Sequence, residues 1–140
     1  MAKAHVSTLE GQYSDIVLGK VDSTDHGYNF KEVEMTWATT LVAGLVVKAD
    51  GTPLATAADA ADAYGVLVDR KVLPGYDKEK NGLVAGDKVP MVLAVRGLTL
   101  NFHKLVTADG VAITDAVAAQ LEKNANSVTK RYAALKFSGQ

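Results

Sequence analysis

The chain has 140 residues, 48% hydrophobic and 22% charged, which is enough to bury a core in one domain and too apolar for global disorder. Its 15 Lys and Arg against 16 Asp and Glu give a formal net charge of −1, which argues against a general nucleic-acid-binding role. Cys is absent, so disulfides, thiol catalysis and Cys-type zinc sites are excluded. No apolar run approaches the roughly 20 residues of a membrane helix. No secretory signal opens the chain, so we expect cytoplasmic synthesis.

The N-terminal thirty residues predict an arm without a core of its own. Glycines and polar side chains interrupt it, and its one strand-like run is Ile16, Val17 and Leu18. A strand without a local hairpin partner either adds to a foreign sheet edge or pairs with the domain's own sheet. A tail that orders only on a partner can wrap a large surface. We therefore predict an attachment arm at residues 1–30 and a β-rich body at residues 31–140.

The run at residues 28–35 has apolar residues that change side. Tyr28 and Phe30 share one side, whereas Val33 and Met35 share the other. A shift of one residue reverses the buried face of a strand, so this pattern predicts a bulge or a bend near residues 31–32.

Further short apolar runs separated by turn residues predict a mainly β fold. Asp50 and Gly51 signal a tight turn after the first of these runs. An alanine-rich stretch at residues 55–63 is compatible with a short helix or a surface loop. The run at residues 89–95 is the most apolar and is expected to be central, with Pro90 at its start or on an edge. The predicted strands cover residues 44–49, 64–68 (continuing towards Leu73), 89–95, 98–102 and 127–137.

One short C-terminal helix is predicted from Thr114. Thr114 is a suitable N-cap, and Asp115 favours the positive end of the helix dipole. Val117 and Leu121 lie four residues apart on one apolar face. Asn124 is expected to end the helix in a left-handed conformation.

No catalytic or metal-binding constellation is evident in the sequence. His5, His26 and His103 are widely separated and lack the spacing of metal ligands. Glu32 and Glu34 share one strand face, but charged outer faces of strands are far commoner than paired catalytic carboxylates. Nucleophile-elbow and phosphate-loop motifs are absent. We predict a protein that is not an enzyme and needs no cofactor or metal.

Two further residues are candidate contacts with a neighbouring subunit or a partner. Trp37 precedes a small polar stretch and is either an interface anchor or an ordinary core side chain. Arg96 follows the most apolar strand and precedes Gly97. Its guanidinium is either positioned to reach a carboxylate across an interface or is an exposed strand terminus.

The sequence segments at residues 44–52, 63–69 and 86–97 resemble those of the head decoration, or capsid cement, proteins of tailed bacteriophages of the lambda type. The resemblance implies a small β-tulip-like body that binds the major capsid protein as a homotrimer at three-fold positions of the expanded head. It implies stabilisation of the virion head against internal DNA pressure, without nucleic-acid or membrane binding. By analogy, residues 1–30 are the capsid-binding arm, with residues 16–18 adding a strand to a capsid sheet. The implied arm contacts are Tyr13, Ile16, Val17, Leu18, Val21, Tyr28 and Phe30.

Two other classes of function stay open on the sequence alone. A phage head-fibre base, tail or adhesin component would need a longer partner chain or an aromatic carbohydrate platform, and aromatic residues make up only 6% of the chain. A small β-barrel enzyme would need a cleft with paired carboxylates or His.

Overall fold

Seven strands form two sheets in the computed structural model, which describes residues 16–20, 26–73 and 82–130. The strands are β1 (Val17–Lys20), β2 (Phe30–Thr36), β3 (Val46–Val47), β4 (Gly65–Leu67), β5 (Lys88–Ala94), β6 (Leu98–Asn101) and β7 (Ser127–Thr129). The three-stranded sheet has the order β1-β6-β7, and the four-stranded sheet has the order β2-β5-β4-β3. Every pairing is antiparallel except that of β6 with β7.

Helical segments are short. A single turn, α1 (His26–Asn29), precedes β2, and α2 (Asp115–Glu122) precedes β7. Three 3₁₀ helices cover Ala57–Asp62, Arg70–Val72 and Phe102–Lys104. The predicted fold class, a mainly β domain with one short C-terminal helix, is confirmed.

Strands β3 and β4 of the four-stranded sheet are buried on both faces. In β3, Val46 packs into a first core and its neighbour Val47 into a second; in β4, Val66 and Leu67 divide in the same way. The first core also holds α2 and the three-stranded sheet. Because both faces are covered, these strands have continuous apolar runs instead of an apolar–polar alternation.

Of the bulge or bend predicted near residues 31–32 of β2, the bulge is wrong. The register with β5 is unbroken from Phe30 opposite Ala94 to Thr36 opposite Lys88. Phe30 packs against the first core, whereas Val33 and Met35 belong to the second. The apolar residues change side because the two faces of one regular strand meet different cores.

The strand β4 is shorter than predicted. It ends at Leu67, and the chain turns into a 3₁₀ helix instead of continuing towards Leu73. Asp69 starts that helix, since its Oδ1 accepts a hydrogen bond from the Lys71 amide at 2.8 Å. The predicted stop at residues 74–75 lies outside the described residues.

The strand β5 is central, as predicted, and Pro90 lies near its start. Pro90 is opposite Glu34 of β2, while β4 pairs only with Leu93 and Ala94. The ring nitrogen of Pro90 therefore interrupts no ladder with β4. Beside it, Lys71 Nζ donates a hydrogen bond to the Pro90 carbonyl at 3.2 Å.

The helix α2 follows the predicted pattern, with Thr114 at its N-cap and Val117 and Leu121 fully buried. Its predicted end is wrong by one residue. Ala125, with φ of 63°, takes the left-handed conformation that was assigned to Asn124. The Asn124 side chain instead donates to the Tyr64 carbonyl at 3.4 Å.

The turn at residues 50–51 is confirmed. The Gly51 amide donates to the Lys48 carbonyl at 3.0 Å, and Gly51 has φ of 90°. The alanine-rich stretch is a short helix of the 3₁₀ type, in which the Thr56 hydroxyl accepts from the Ala58 amide. The last predicted strand is described only as Ser127–Thr129.

Candidate functional site

The strand-like run of the predicted arm is part of the body. Val17 lies opposite Leu100 of β6 and Lys20 opposite Leu98, with an irregularity in register between Val17 and Gly19. Ile16 is 3% exposed and packs in the first core. Of the two alternatives that the sequence left open, the structure shows pairing with the domain's own sheet.

The core holds the first two residues of the strand-like run. Ile16 and Val17 are buried, and Leu18 is half-buried. Residues 1–15 therefore lead directly into a strand that is anchored in the core. Tyr13 and Val21 lie outside the described residues, and their assigned contacts stay predictions.

The structure brings together two residues that the sequence singled out separately. Tyr28, in α1, is 37% exposed, which makes it one of the few large exposed hydrophobic side chains among the described residues. The guanidinium carbon of Arg96 lies 5.6 Å from the centre of its ring. That distance is within the range of a cation–π interaction.

A rigid base holds this pair in position. The Asn29 carbonyl accepts hydrogen bonds from the amides of Val95, at 2.8 Å, and Arg96, at 3.4 Å. The Asn29 side chain is fully buried and donates through Nδ2 to the Arg96 carbonyl at 3.1 Å. Three hydrogen bonds thus join Asn29, the neighbour of Tyr28, to the main chain of Val95 and Arg96.

Gly97 completes the base. Its φ of 70° favours glycine, and a Cβ at this position would lie 2.6 Å from Cε2 of Tyr28. The absence of a side chain is what allows the Tyr28 ring to lie against the turn. Sequence reasoning identified Gly97 only as a strand end and missed Asn29 altogether; the only signal for Asn29 was its position between two aromatic residues.

The remaining aromatic of the predicted arm lines a surface groove. Phe30 is half-buried and forms, with Val68 and Val92, the apolar part of a groove of about 410 Å³. Charged residues complete its lining: Glu32, Asp69, Arg70 and Lys71.

Trp37 is a core residue. Its side chain is 2% exposed and packs in the second core, and its amide donates to the Asp87 carbonyl at 2.7 Å. The structure therefore shows the core alternative, and Trp37 offers no surface for a contact between subunits.

The described residues hold no group of three or more His, Asp or Glu side chains suited to a metal ion. His103 is exposed, and its Nε2 lies 3.1 Å from the Lys130 carbonyl. Glu32 and Glu34 are both exposed on β2. Within the same described ranges, no helix is long and apolar enough to cross a membrane.

The comparison with protein families gives one finding. Residues 1–140 match the family described as the bacteriophage PhiTE minor capsid decoration protein. No match was found among the curated proteins or among the solved structures. The match covers the whole sequence and agrees with the resemblance found in the segments at residues 44–52, 63–69 and 86–97. The chain therefore belongs to the bacteriophage PhiTE minor capsid decoration protein family.

Proposed function

We propose that this capsid decoration protein binds the major capsid protein as homotrimers at three-fold positions of the expanded phage head, and that it stabilises the head against internal DNA pressure. The observation that carries the proposal is the family match over the whole chain. The near-zero net charge of −1 supports it, because like-charged copies packed densely over a shell would repel one another.

The attachment segment is residues 1–15 in this proposal. Its support is the burial of Ile16 and Val17, which ties the end of the segment to the core. A segment fixed in this way transmits load from the capsid to the body through β1. The strand β1 itself is a body strand, so pairing with a capsid sheet is assigned to the residues before it.

Three copies acting together strengthen attachment. Ordering a segment on a partner costs conformational entropy, which offsets much of the energy of the new contacts, so one segment binds modestly. Linking three segments in one trimer can raise avidity about 10²–10⁴-fold over a single segment. The protein acts through this attachment on the virion head surface after synthesis in the host cytoplasm, and it catalyses no reaction.

The test is co-sedimentation of the purified protein with expanded and unexpanded heads of the cognate phage. We expect saturable binding to expanded heads alone, near one copy per capsid subunit, and greater resistance of decorated heads to heat. Binding to neither form would contradict the proposal and would favour a tail or fibre partner. Binding without any gain in head stability would contradict the stabilising role.

A further inference from the structure

We propose that Tyr28 and Arg96 form a carboxylate-binding anchor on the body, which takes an acidic side chain of the capsid surface. This inference rests on the proposed function. It goes beyond the attachment segment because it assigns a second contact, on the folded body, and the chemistry that the contact recognises.

The charge of Arg96 is the first argument. The guanidinium is half-buried, and no carboxylate among the described residues lies within ion-pair distance of it; the ion pairs found there join Lys71 with Asp69 and Lys130 with Asp115. A guanidinium presents several donors in a planar fork that matches a carboxylate. Its interaction with Tyr28 uses the face of an aromatic ring and leaves those donors available.

The second argument is preorganisation. Tyr and Arg are enriched among the residues that dominate binding energy at interfaces. Rigid groups lose less entropy on binding, and here Asn29 and Gly97 hold the turn beneath the pair. Those contacts involve the main chain of Arg96, so its side chain can be changed without breaking them.

The third argument is position. Arg96 lies two residues before Leu98, which is opposite Lys20 at the end of β1. The strand β1 has four residues, a length of roughly 13 Å at about 3.3 Å a residue. One interface of ordinary size, about 800 Å² on each partner, can therefore cover both the end of residues 1–15 and the Tyr28–Arg96 pair.

The experiment measures binding to expanded heads for the full-length protein and for Arg96→Gln, Arg96→Lys and Tyr28→Leu. We expect Arg96→Gln and Tyr28→Leu to weaken binding about ten-fold or more. Arg96→Lys should recover only part of the loss, because it keeps the charge without the fork. Raising the salt concentration should weaken wild-type binding more than Arg96→Gln binding.

The matched control is Lys31→Gln. It removes the same charge from a similar pair, in which Lys31 Nζ lies 5.7 Å from the centre of the Tyr64 ring, and it should bind heads like the wild type. Thermal unfolding of each variant verifies folding, and sedimentation in the absence of heads reports self-association.

Three outcomes are distinguished. If the wild type fails to bind heads, the proposed function fails. If the wild type binds and Arg96→Gln binds equally, with the same salt dependence, the anchor is overturned while the proposed function stands. If Arg96→Gln no longer self-associates but each monomer binds heads with the same affinity as a wild-type monomer, the carboxylate belongs to a neighbouring copy. That result would overturn the assignment to the capsid.

Discussion

Asp69 joins two strands of the four-stranded sheet, because its Oδ2 accepts a hydrogen bond from the Val92 amide at 2.9 Å. Its Oδ1 accepts from the Lys71 amide at 2.8 Å, and the side chain is 4% exposed. The carboxylate thus takes the place that a β4 carbonyl would occupy if β4 continued. It also satisfies part of the edge of β5 that would otherwise be open to another chain.

Replacing Asp69 by Ala should lower the free energy of unfolding by about 1–3 kcal/mol, because the half-buried Val92 amide loses its acceptor. Asp69→Asn keeps one acceptor oxygen and should cost less. Asp62→Ala, at an exposed carboxylate, is the control and should change stability by less than about 0.5 kcal/mol. Urea unfolding measures all three. Equal effects of Asp69→Ala and Asp62→Ala would refute the account of the β5 edge.

The contact between Gly97 and Tyr28 predicts a difference between two glycines. Gly97 and Gly110 have φ of 70° and 79°, but a Cβ at residue 110 would have no neighbour within 4 Å. Gly110→Ala should therefore lower the free energy of unfolding only by the strain of a left-handed backbone, about 1–2 kcal/mol. Gly97→Ala should cost about 1–3 kcal/mol more, since the ring of Tyr28 must move. The excess should shrink when Tyr28→Ala is combined with Gly97→Ala; an unchanged excess would show that the ring is not its cause.

The Asp50 carboxyl is predicted to titrate below its usual range. The Thr52 amide donates to Asp50 Oδ1 at 2.9 Å, and this hydrogen bond lowers the pKa of Asp50 from 3.8. A lowered pKa in the folded state contributes stability that is present above the unfolded pKa and is lost as pH falls through the folded pKa. An NMR titration of the Asp50 carboxyl should give a midpoint below 3.8. A midpoint at or above that value would contradict the hydrogen bond.

The burial of Ile16 indicates that the proposed attachment segment ends before residue 16. Ile16→Ala should lower the free energy of unfolding by about 2–4 kcal/mol because the side chain is buried in the first core. Removing residues 1–15 should leave the thermal unfolding of the body nearly unchanged, whereas removing residues 1–20 should lower it strongly by deleting β1. Calorimetry of the two truncated proteins measures this difference in stability. If the body is equally stable without β1, residues 16–20 belong to the arm and not to the body.

Trp37 shows the limit of reading a contact from residue type. A single Trp beside small polar residues fits both an interface and a core. The sequence does not say which, because the core in which Trp37 packs is built from distant parts of the chain, among them Leu67 and Met91. Trp37→Phe should therefore lower stability and leave the head affinity of the folded variant unchanged.

Local signals predicted α2, the turn at Gly51 and the central position of β5, since each depends on residues close in sequence. The sequence did not predict the two cores. The change of side between Phe30 and Val33 therefore suggests a bulge or a bend from the sequence, whereas it reflects which core lies on each face of β2. The pairing of β1 with β6 was left open because it joins residues some eighty positions apart.

The Tyr28–Arg96 pair was half predictable. The family resemblance implies Tyr28 as a candidate contact in the arm, and the type and position of Arg96 indicate it as a candidate contact in the body. Their meeting depends on the buried Asn29 and on the backbone of Gly97, which carry no signal of binding in the sequence.

The most direct test of the central claim compares the binding of the full-length protein and of the protein without residues 1–15 to expanded heads, under conditions in which both are folded. The account predicts saturable binding of the full-length protein near one copy per capsid subunit, and loss of most of that affinity on truncation. Unchanged affinity of the truncated protein would contradict attachment through residues 1–15.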